Sequence, residues 1–348
     1  MRKRIPDANL NEIATIGKSN NTFLQRYAIV LVWIVIIIAF SILCPETFPT
    51  WLNVSMILGS KATLVILSLA VLIPLTAGDF DLSVAAVLVL SNQIIAVLNV
   101  HHGVNVWIAI VVALIAGILV GFINGIFVVK MGIDPFIVTL GMQTLVCGVI
   151  LWISNSQTVN GIDRILVEWT ISKRLFGISY IFFYALILTA IVWYFLEFTS
   201  AGKKILYAGR GRNVARLSGI NVDKVRWLCL IGSGFLSAVA GVSYAGTTGC
   251  ADPTSGLTFM MPAFAAAYFG STCIKPGRFN AWGCLIAVYF LGTGVTGFSL
   301  LGAPTFIQNI FYGLALIVAV SFSVIVKKKQ DSLVKFRNTT KEDTALKK

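Results

Sequence analysis

Residues 105–129, NVWIAIVVALIAGILVGFINGIFVV, form an unbroken apolar run without a charged side chain. The hydrocarbon core of a bilayer is about 30 Å thick, and a helix needs roughly 20 apolar residues to cross it. The run is therefore long enough for one complete crossing. Gly117, Gly121 and Gly125 recur at every fourth position, a spacing that lets a neighbouring helix approach closely. The stretch predicts a transmembrane helix that packs against another helix.

Comparable apolar runs recur along the chain. The 348 residues are 57% hydrophobic and 12% charged, whereas soluble domains contain about 25% charged residues. The sequence therefore predicts an all-α, polytopic membrane protein with about ten transmembrane helices, of which the eighth is short. The predicted spans are 27–44, 54–77, 82–100, 105–129, 135–155, 179–197, 227–246, 258–272, 280–300 and 305–326.

The 27 lysines and arginines are unevenly distributed between these spans. With the N-terminus inside, the outer segments hold only Arg164, Lys173 and Arg174, and Lys61 lies within the second span. We interpret Lys61 as a side chain that snorkels outward along its alkyl stem. All other basic residues fall on the inner side. Because basic loops are retained in the cytoplasm during insertion, both termini are predicted to be cytoplasmic.

The longest basic segment inside the chain is residues 203–226, KKILYAGRGRNVARLSGINVDKVR, in which Asp223 is the only acid. Gly209, Gly211 and Gly219 predict two short helical pieces, a shape that suits a groove on another subunit. A basic tether that only orients the chain is the alternative. Either interpretation places the segment in the cytoplasm.

Two acids interrupt the apolar sequence between the second and third spans, in TAGDFDLSV. One interpretation is a tight turn at the inner edge of the membrane, with Asp81 as the N-cap of the next helix. The other is a broken helix whose polar ends, including Asp79, line a transport path. The sequence leaves both open.

No catalytic or metal-binding motif is recognisable. The chain has no P-loop, no G-x-S-x-G, no H-E-x-x-H and no C-x-x-C pair, and His101 and His102 lie in a short outer turn. The net charge of +13 is explained by orientation in the bilayer, so nucleic acid is not an expected partner. Three classes remain: a transporter driven by a separate ATPase, a secondary transporter or channel acting alone, and, disfavoured, a membrane enzyme.

Several short motifs occur in a fixed order over roughly residues 50–326. In this order and spacing the chain resembles permease subunits of bacterial ABC sugar importers of the ribose and monosaccharide type, within the branched-chain amino acid and ribose permease superfamily. The motifs are DLS at 81–83, NG at 124–125, PFIVTLGM at 135–142, ARLSGINVDKV at 215–225, PTSG at 253–256, AAAYFGST at 265–272 and PGRFNAWG at 276–283.

The chain departs from the pattern of this family at three places. Relatives usually have G-G-I-D-L-S where this chain has GDFDLS, so that Asp79 is an additional carboxylate. Met260 and Pro262 stand where relatives often carry Glu and Asp, and Arg212 stands with Asn213 where relatives have acids. These departures leave the solute and the ATPase partner open.

The resemblance implies a permease subunit that translocates a small neutral solute, a monosaccharide such as ribose or a related sugar, across the bacterial inner membrane. It implies an ABC ATPase that binds the ATP, a second permease that is identical or paralogous, and a periplasmic sugar-binding protein, with lipid around the spans. The chain itself is expected to be no enzyme and to hold no cofactor or metal. The implied organisation is a cytoplasmic tail at 1–26, a permease domain at 27–326 with a cytoplasmic coupling loop at 198–226, and a basic tail at 327–348.

Two sets of residues are the candidate sites under this resemblance. For the path candidates from Ser91 onward, the alternative is a role in hydrogen bonding between helices. The coupling loop is predicted to contact the ATPase through Arg212, Asn213, Ala215, Arg216, Ser218, Gly219, Ile220 and Asn221. The translocation path is predicted to use Asp79, Asp81, Ser83, Ser91, Asn92, Gln93, Asn124, Gln143 and Thr144.

Overall fold

The computed structural model describes residues 21–324, with side chains from Ile29 onward, and within this range the fold is helical. The predicted tails at 1–26 and 327–348 lie almost entirely outside the described residues. The helices are α1 (Asn21–Leu43), α2 (Trp51–Ser60), α3 (Ala62–Ala77), α4 (Val84–Ala96), α5 (Val106–Gly125), α6 (Pro135–Ile153), α7 (Arg164–Val167), α8 (Tyr180–Phe198), α9 (Ser200–Arg210), α10 (Arg212–Leu217), α11 (Val222–Thr248), α12 (Met260–Gly270), α13 (Ala281–Leu300) and α14 (Thr305–Val324).

Eight helical stretches in the described range are long and apolar enough to cross a membrane. They confirm the predicted all-α, polytopic membrane class. The stretches are Trp51–Ala77, Val84–His101, Val106–Lys130, Pro135–Ile153, Tyr180–Phe198, Val222–Thr248, Ala281–Leu300 and Thr305–Val324.

The other two predicted spans are shorter. The first is represented by the apolar part of α1, Ile29–Leu43, and the eighth by α12, which has 11 residues. A 3-10 helix at Ser255–Phe259 precedes α12 and a turn follows it, so 258–272 is not one continuous α-helix. At 1.5 Å per residue, α12 alone is about 17 Å long and does not span the bilayer.

The centre of the bundle is α3, in which every residue is buried. Its sequence, ATLVILSLAVLIPLTA, is apolar on all sides, as expected for a helix surrounded by others. It contacts α8, α9, α11, α12 and α13. The helices α6, α8 and α14 expose apolar side chains over most of their surface, which suits a lipid environment.

The glycine-rich face of α5 packs against α11. A Cβ atom built on Gly121 would lie 2.4 Å from the carbonyl oxygen of Leu230, and one on Gly117 would lie 2.6 Å from that of Gly234. The Trp227 side chain occupies the space that a Cβ atom on Gly125 would need. Its indole N–H donates a hydrogen bond to the Phe122 carbonyl. Close packing of this span is therefore confirmed, although its opposite face is exposed.

Short strands join the connections at the end of the bundle predicted to face outward. Strand β1 (Val159–Asn160) pairs antiparallel with β4 (Cys250–Ala251), and β2 (Arg174–Leu175) pairs with β3 (Ile178–Ser179). The opposite end holds the end of α3, the helices α9 and α10, and the turn between α12 and α13. Lys275 in that turn bonds Glu197 at the end of α8 at 2.7 Å.

Candidate functional site

The basic segment forms α9, α10 and the first turn of α11. In α9, Ile205 and Ala208 are buried against the bundle while the lysines at 203 and 204 are exposed. The chain breaks at Gly211, as predicted, and again at Gly219, where φ is +79°. Glycine adopts a positive φ without the steric clash that a Cβ atom would cause, which explains why a glycine stands at this turn. The side chain of Asn221 then caps α11 by accepting from the Lys224 N–H.

The third predicted break, at Gly209, lies instead inside α9. A Cβ atom on Gly209 would lie 2.0 Å from the carbonyl oxygen of Thr76, so the backbones of α9 and α3 are in direct contact there. This glycine is required by close approach and not by a turn. The segment is thereby seated on the end of the central helix.

Helix α10 presents an apolar surface away from the bundle. Leu217 is 90% exposed and Val214 is 69% exposed, whereas Ala215 is buried against the bundle. Arg216 is paired with Asp223 at 2.7 Å, and both side chains are half exposed. Large exposed apolar side chains on a polar, membrane-proximal segment are typical of a protein interface. The other predicted coupling residues, Asn213, Ser218, Gly219 and Asn221, are exposed, and Ile220 is half-buried.

Asp79 ties this segment to the bundle. Its carboxylate is fully buried and accepts hydrogen bonds from Arg226 Nε at 2.7 Å and from Arg226 Nη2 at 2.9 Å. Arg212 Nη2 donates to the same carboxylate at 2.7 Å and to the Gly78 carbonyl at 3.1 Å. Two of the departures from the family pattern, Asp79 and Arg212, thus contact each other. Because both oxygens are occupied by arginines, Asp79 is placed to hold the segment in position.

Asp81 belongs to a separate polar cluster between α3 and α4. Its carboxylate accepts from the Ser83 N–H at 3.0 Å and from the Ser83 hydroxyl, and Asn124 Nδ2 donates to the same hydroxyl at 3.0 Å. The Leu82 N–H donates to the Thr139 hydroxyl. Burial raises the pKa of the Asp81 carboxyl, and the hydroxyls of Ser83 and Ser233 oppose this shift. The cluster joins α4, α5 and α6.

The polar residues of α4 lie deeper in the bundle. Ser91, Asn92 and Gln93 are all fully buried, and Asn92 Nδ2 donates to the Cys250 carbonyl at 3.3 Å. Neither side-chain polar atom of Gln93 has a hydrogen-bond partner among the described residues. An amide buried in this way costs free energy unless water or a solute meets it. The α4 helix therefore carries unsatisfied polar groups in the interior of a membrane protein.

Not all of the predicted path residues come together. Gln143 is half-buried on α6, and its Oε1 also lacks a partner in the described part of the chain. Thr144 is exposed and its hydroxyl donates to the Leu140 carbonyl one turn earlier. Asp81, Ser83 and Asn124 form one cluster, while Asp79 belongs to the arginine network.

Sequence reasoning missed Arg226, which completes the network around Asp79. Its side chain is only 10% exposed, yet in the sequence it is one of seven basic residues in a segment interpreted as cytoplasmic. A weak signal existed, since Arg226 is the last charged residue before a long apolar run. An arginine at such a boundary can point into the protein as readily as into water.

The geometry defines a polytopic helical membrane protein, with buried polar groups inside the bundle and a basic segment seated on its central helix. The family described as branched-chain amino acid transport system, permease component, matches residues 53–320. The chain belongs to this family and is a permease component of an ABC importer. The resemblance found from short motifs is thereby confirmed.

Curated relatives match over nearly their whole length. The chain is 30% identical to the D-allose transport system permease protein of Escherichia coli, over 88% of this chain and 94% of the relative. It is 28% identical to the fructose import permease protein of Rhizobium meliloti, over 91% and 93%. It is also 30% identical to the ribose import permease protein of Escherichia coli, over 85% and 92%. No solved structure shows significant similarity to the chain.

Proposed function

We propose that this chain moves a monosaccharide or a closely related polyhydroxylated solute across the bacterial inner membrane. The names of its relatives support this class, since they are permeases for allose, fructose and ribose. Buried amides and hydroxyls in α4 support it as well, because such groups exchange hydrogen bonds with sugar hydroxyls without requiring ionised side chains.

The ATPase partner is proposed to dock on α10. The observation that carries this proposal is the exposed apolar pair Leu217 and Val214 on a segment fixed to the bundle. A short helix held in this way can fit a groove on another subunit and transmit its motion to the membrane helices. ATP is then bound by the partner, and this chain contributes no ATPase site and no cofactor of its own.

Two further partners follow from the same proposal. A second permease, identical or paralogous, would complete the path, and a periplasmic binding protein would deliver solute to the outer connections. The organisation proposed for the whole chain is the one inferred from sequence, with the coupling loop at 198–226 between α8 and α11.

Inside the bundle, motion of the coupling segment is proposed to reach the path through the end of α3. Gly209 contacts the Thr76 carbonyl and Asp79 binds Arg212 and Arg226, so a displacement of α9 and α10 moves the α3 end. Asp81 and Ser83, which form a cluster with Asn124, follow directly in the chain. Its hydroxyl and amide groups are placed to exchange partners with a passing solute.

The test is copurification of the ATPase encoded with this permease, together with ATP-dependent sugar uptake by proteoliposomes. Leu217→Asp places a charge on the exposed face of α10 and should abolish both. The matched control is Phe176→Asp, because Phe176 is 80% exposed on the outer hairpin and should not affect ATPase binding. Retention of the ATPase by Leu217→Asp contradicts the docking site. Sugar uptake driven by an ion gradient without any ATPase favours a secondary transporter instead.

A further inference from the structure

Lys61 interrupts the long span Trp51–Ala77. It separates the ten residues of α2 from the sixteen of α3. At 1.5 Å per residue, about 15 Å of helix separates it from the start of the span, so it lies at the depth of the hydrocarbon core.

The lysine stem is accommodated by a glycine on a neighbouring helix. A Cβ atom built on Gly292 in α13 would lie 2.7 Å from Lys61 Cγ and 3.2 Å from Cδ. The stem of Lys61 therefore packs against the α13 backbone. Lys61 also lines a space between α3, α12 and α14.

That space is a cavity of about 440 Å³, within the range of small-molecule sites. Lys61 supplies the only charged side chain among the described residues that line it. Thr258, Gln308, Asn309 and Tyr312 contribute polar groups to the cavity wall, and the remaining wall is mostly apolar. The polar groups can bond the hydroxyls of a ring whose apolar face packs on the rest of the wall.

The Lys61 amine has no ion pair or hydrogen bond with any residue of the described range, although six other ion pairs are formed there. A cation in the membrane interior is costly unless an anion or water meets it, and such residues are functional by default.

We propose that this cavity binds a monosaccharide that carries one acidic group, a carboxylate or a phosphate, and that Lys61 contacts this group. Gln308, Asn309 and Thr258 would then bond the ring hydroxyls. The proposal rests on the proposed function, because it narrows the solute class of the same permease. An anionic lipid headgroup is a poorer fit, because headgroups lie at the membrane surface and Lys61 does not.

The test measures ligand-induced thermal stabilisation of the full-length permease alone in lipid nanodiscs. The probes are D-gluconate, D-glucose 6-phosphate and D-glucose, at matched ionic strength, with sodium chloride as a blank. We expect at least one of the acidic probes to raise the Tm of the wild type more than glucose does. The gluconate and glucose 6-phosphate arms separate a carboxylate from a phosphate as the preferred group.

Variants of Lys61 test whether this residue causes the preference for an acidic probe. Lys61→Gln should weaken binding of the acidic probe at least about tenfold, since a hydrogen bond to a charged group is lost, and leave glucose unchanged. Lys61→Arg should keep part of the preference. The matched control Lys173→Gln removes an outer lysine that packs over Trp169 and does not line the cavity, so it should bind like the wild type.

Three results overturn the inference: acidic probes that stabilise no more than glucose, a shift reproduced by sodium chloride, or unchanged binding in Lys61→Gln. If Lys61→Gln does not fold, the inference is tested by whether the acidic probes raise the Tm of the wild type more than glucose does. Because no ATPase takes part, this result is independent of whether ATP drives import. Failure here leaves the proposed function standing, and failure of ATP-dependent uptake leaves this binding result intact.

Discussion

Asp79 forms ion pairs that its position in a turn does not suggest. The family pattern predicts that Asp81 matters more, because Asp79 is an extra carboxylate. In the structure Asp79 neutralises Arg226, which is nearly buried, and also holds the half-exposed Arg212. The partners are 133 and 147 positions away in the chain, and no local pattern connects them. The sequence could identify the unusual acid but not its role.

We expect Asp79→Asn to destabilise the permease more than Asp81→Asn does. Removing one member of a buried ion pair costs about 3–5 kcal/mol, because the remaining charge stays buried. Asparagine at 81 can still accept from Ser83, and it removes a carboxylate that burial already disfavours. The measurement is the Tm of each variant in nanodiscs.

Arg212→Gln is the matched control for this prediction. Arg212 is 42% exposed, and an ion pair open to solvent is worth about 0–1 kcal/mol, so this change should be mild. A loss of Tm in Arg212→Gln as large as in Asp79→Asn would show that the network does not depend on the buried pair.

The helices themselves were largely predictable. An apolar run of sufficient length has few alternatives to a spanning helix, so runs such as 105–129 and 135–155 correspond closely to α5 and α6. Breaks within a run were not predictable. Trp51–Ala77 is divided at Lys61, and α12 is shortened by the 3-10 helix before it. Hydropathy averages over such features and does not detect them.

The connection between α11 and α12 is held by Asp252. Its carboxylate accepts from the Thr254 N–H at 2.9 Å, the Ser255 N–H at 2.7 Å and the hydroxyls of Thr254 and Thr158. These bonds, first among them the one from the Thr254 N–H, lower the pKa of Asp252, while partial burial opposes the shift. The carboxylate thus caps the 3-10 helix and ties it to the residue before β1.

This arrangement predicts a pH-dependent contribution to stability. Because the pKa of Asp252 is lower in the folded than in the unfolded state, the contribution is complete above the unfolded value of about 3.9 and is lost as the pH falls through the folded value. We expect Asp252→Asn to have a lower Tm than the wild type at pH 7 and the difference to shrink below about pH 4. A difference that stays constant down to pH 3 would assign the effect to shape and not to charge.

The connections of the whole molecule sort into two groups at opposite ends of the bundle. The end of α3, the helices α9 and α10, and the turn bonded to Glu197 form one group, and the paired strands form the other. This grouping agrees with an alternating path of the chain through a bilayer. The distribution of basic residues assigns one of these ends to the cytoplasm.

We expect the end that carries α10 to face the cytoplasm, because the basic residues are concentrated there. Single cysteines at Asn213 and Arg164, both exposed, report the two ends in a background from which the six native cysteines have been removed. In intact cells a membrane-impermeant maleimide should label Arg164→Cys and not Asn213→Cys, and permeabilisation should make both reactive. Each variant must retain sugar uptake, so that a misfolded population is not counted. Labelling of Asn213→Cys but not Arg164→Cys in intact cells would invert the topology, and would place α10 where no ATPase could reach it.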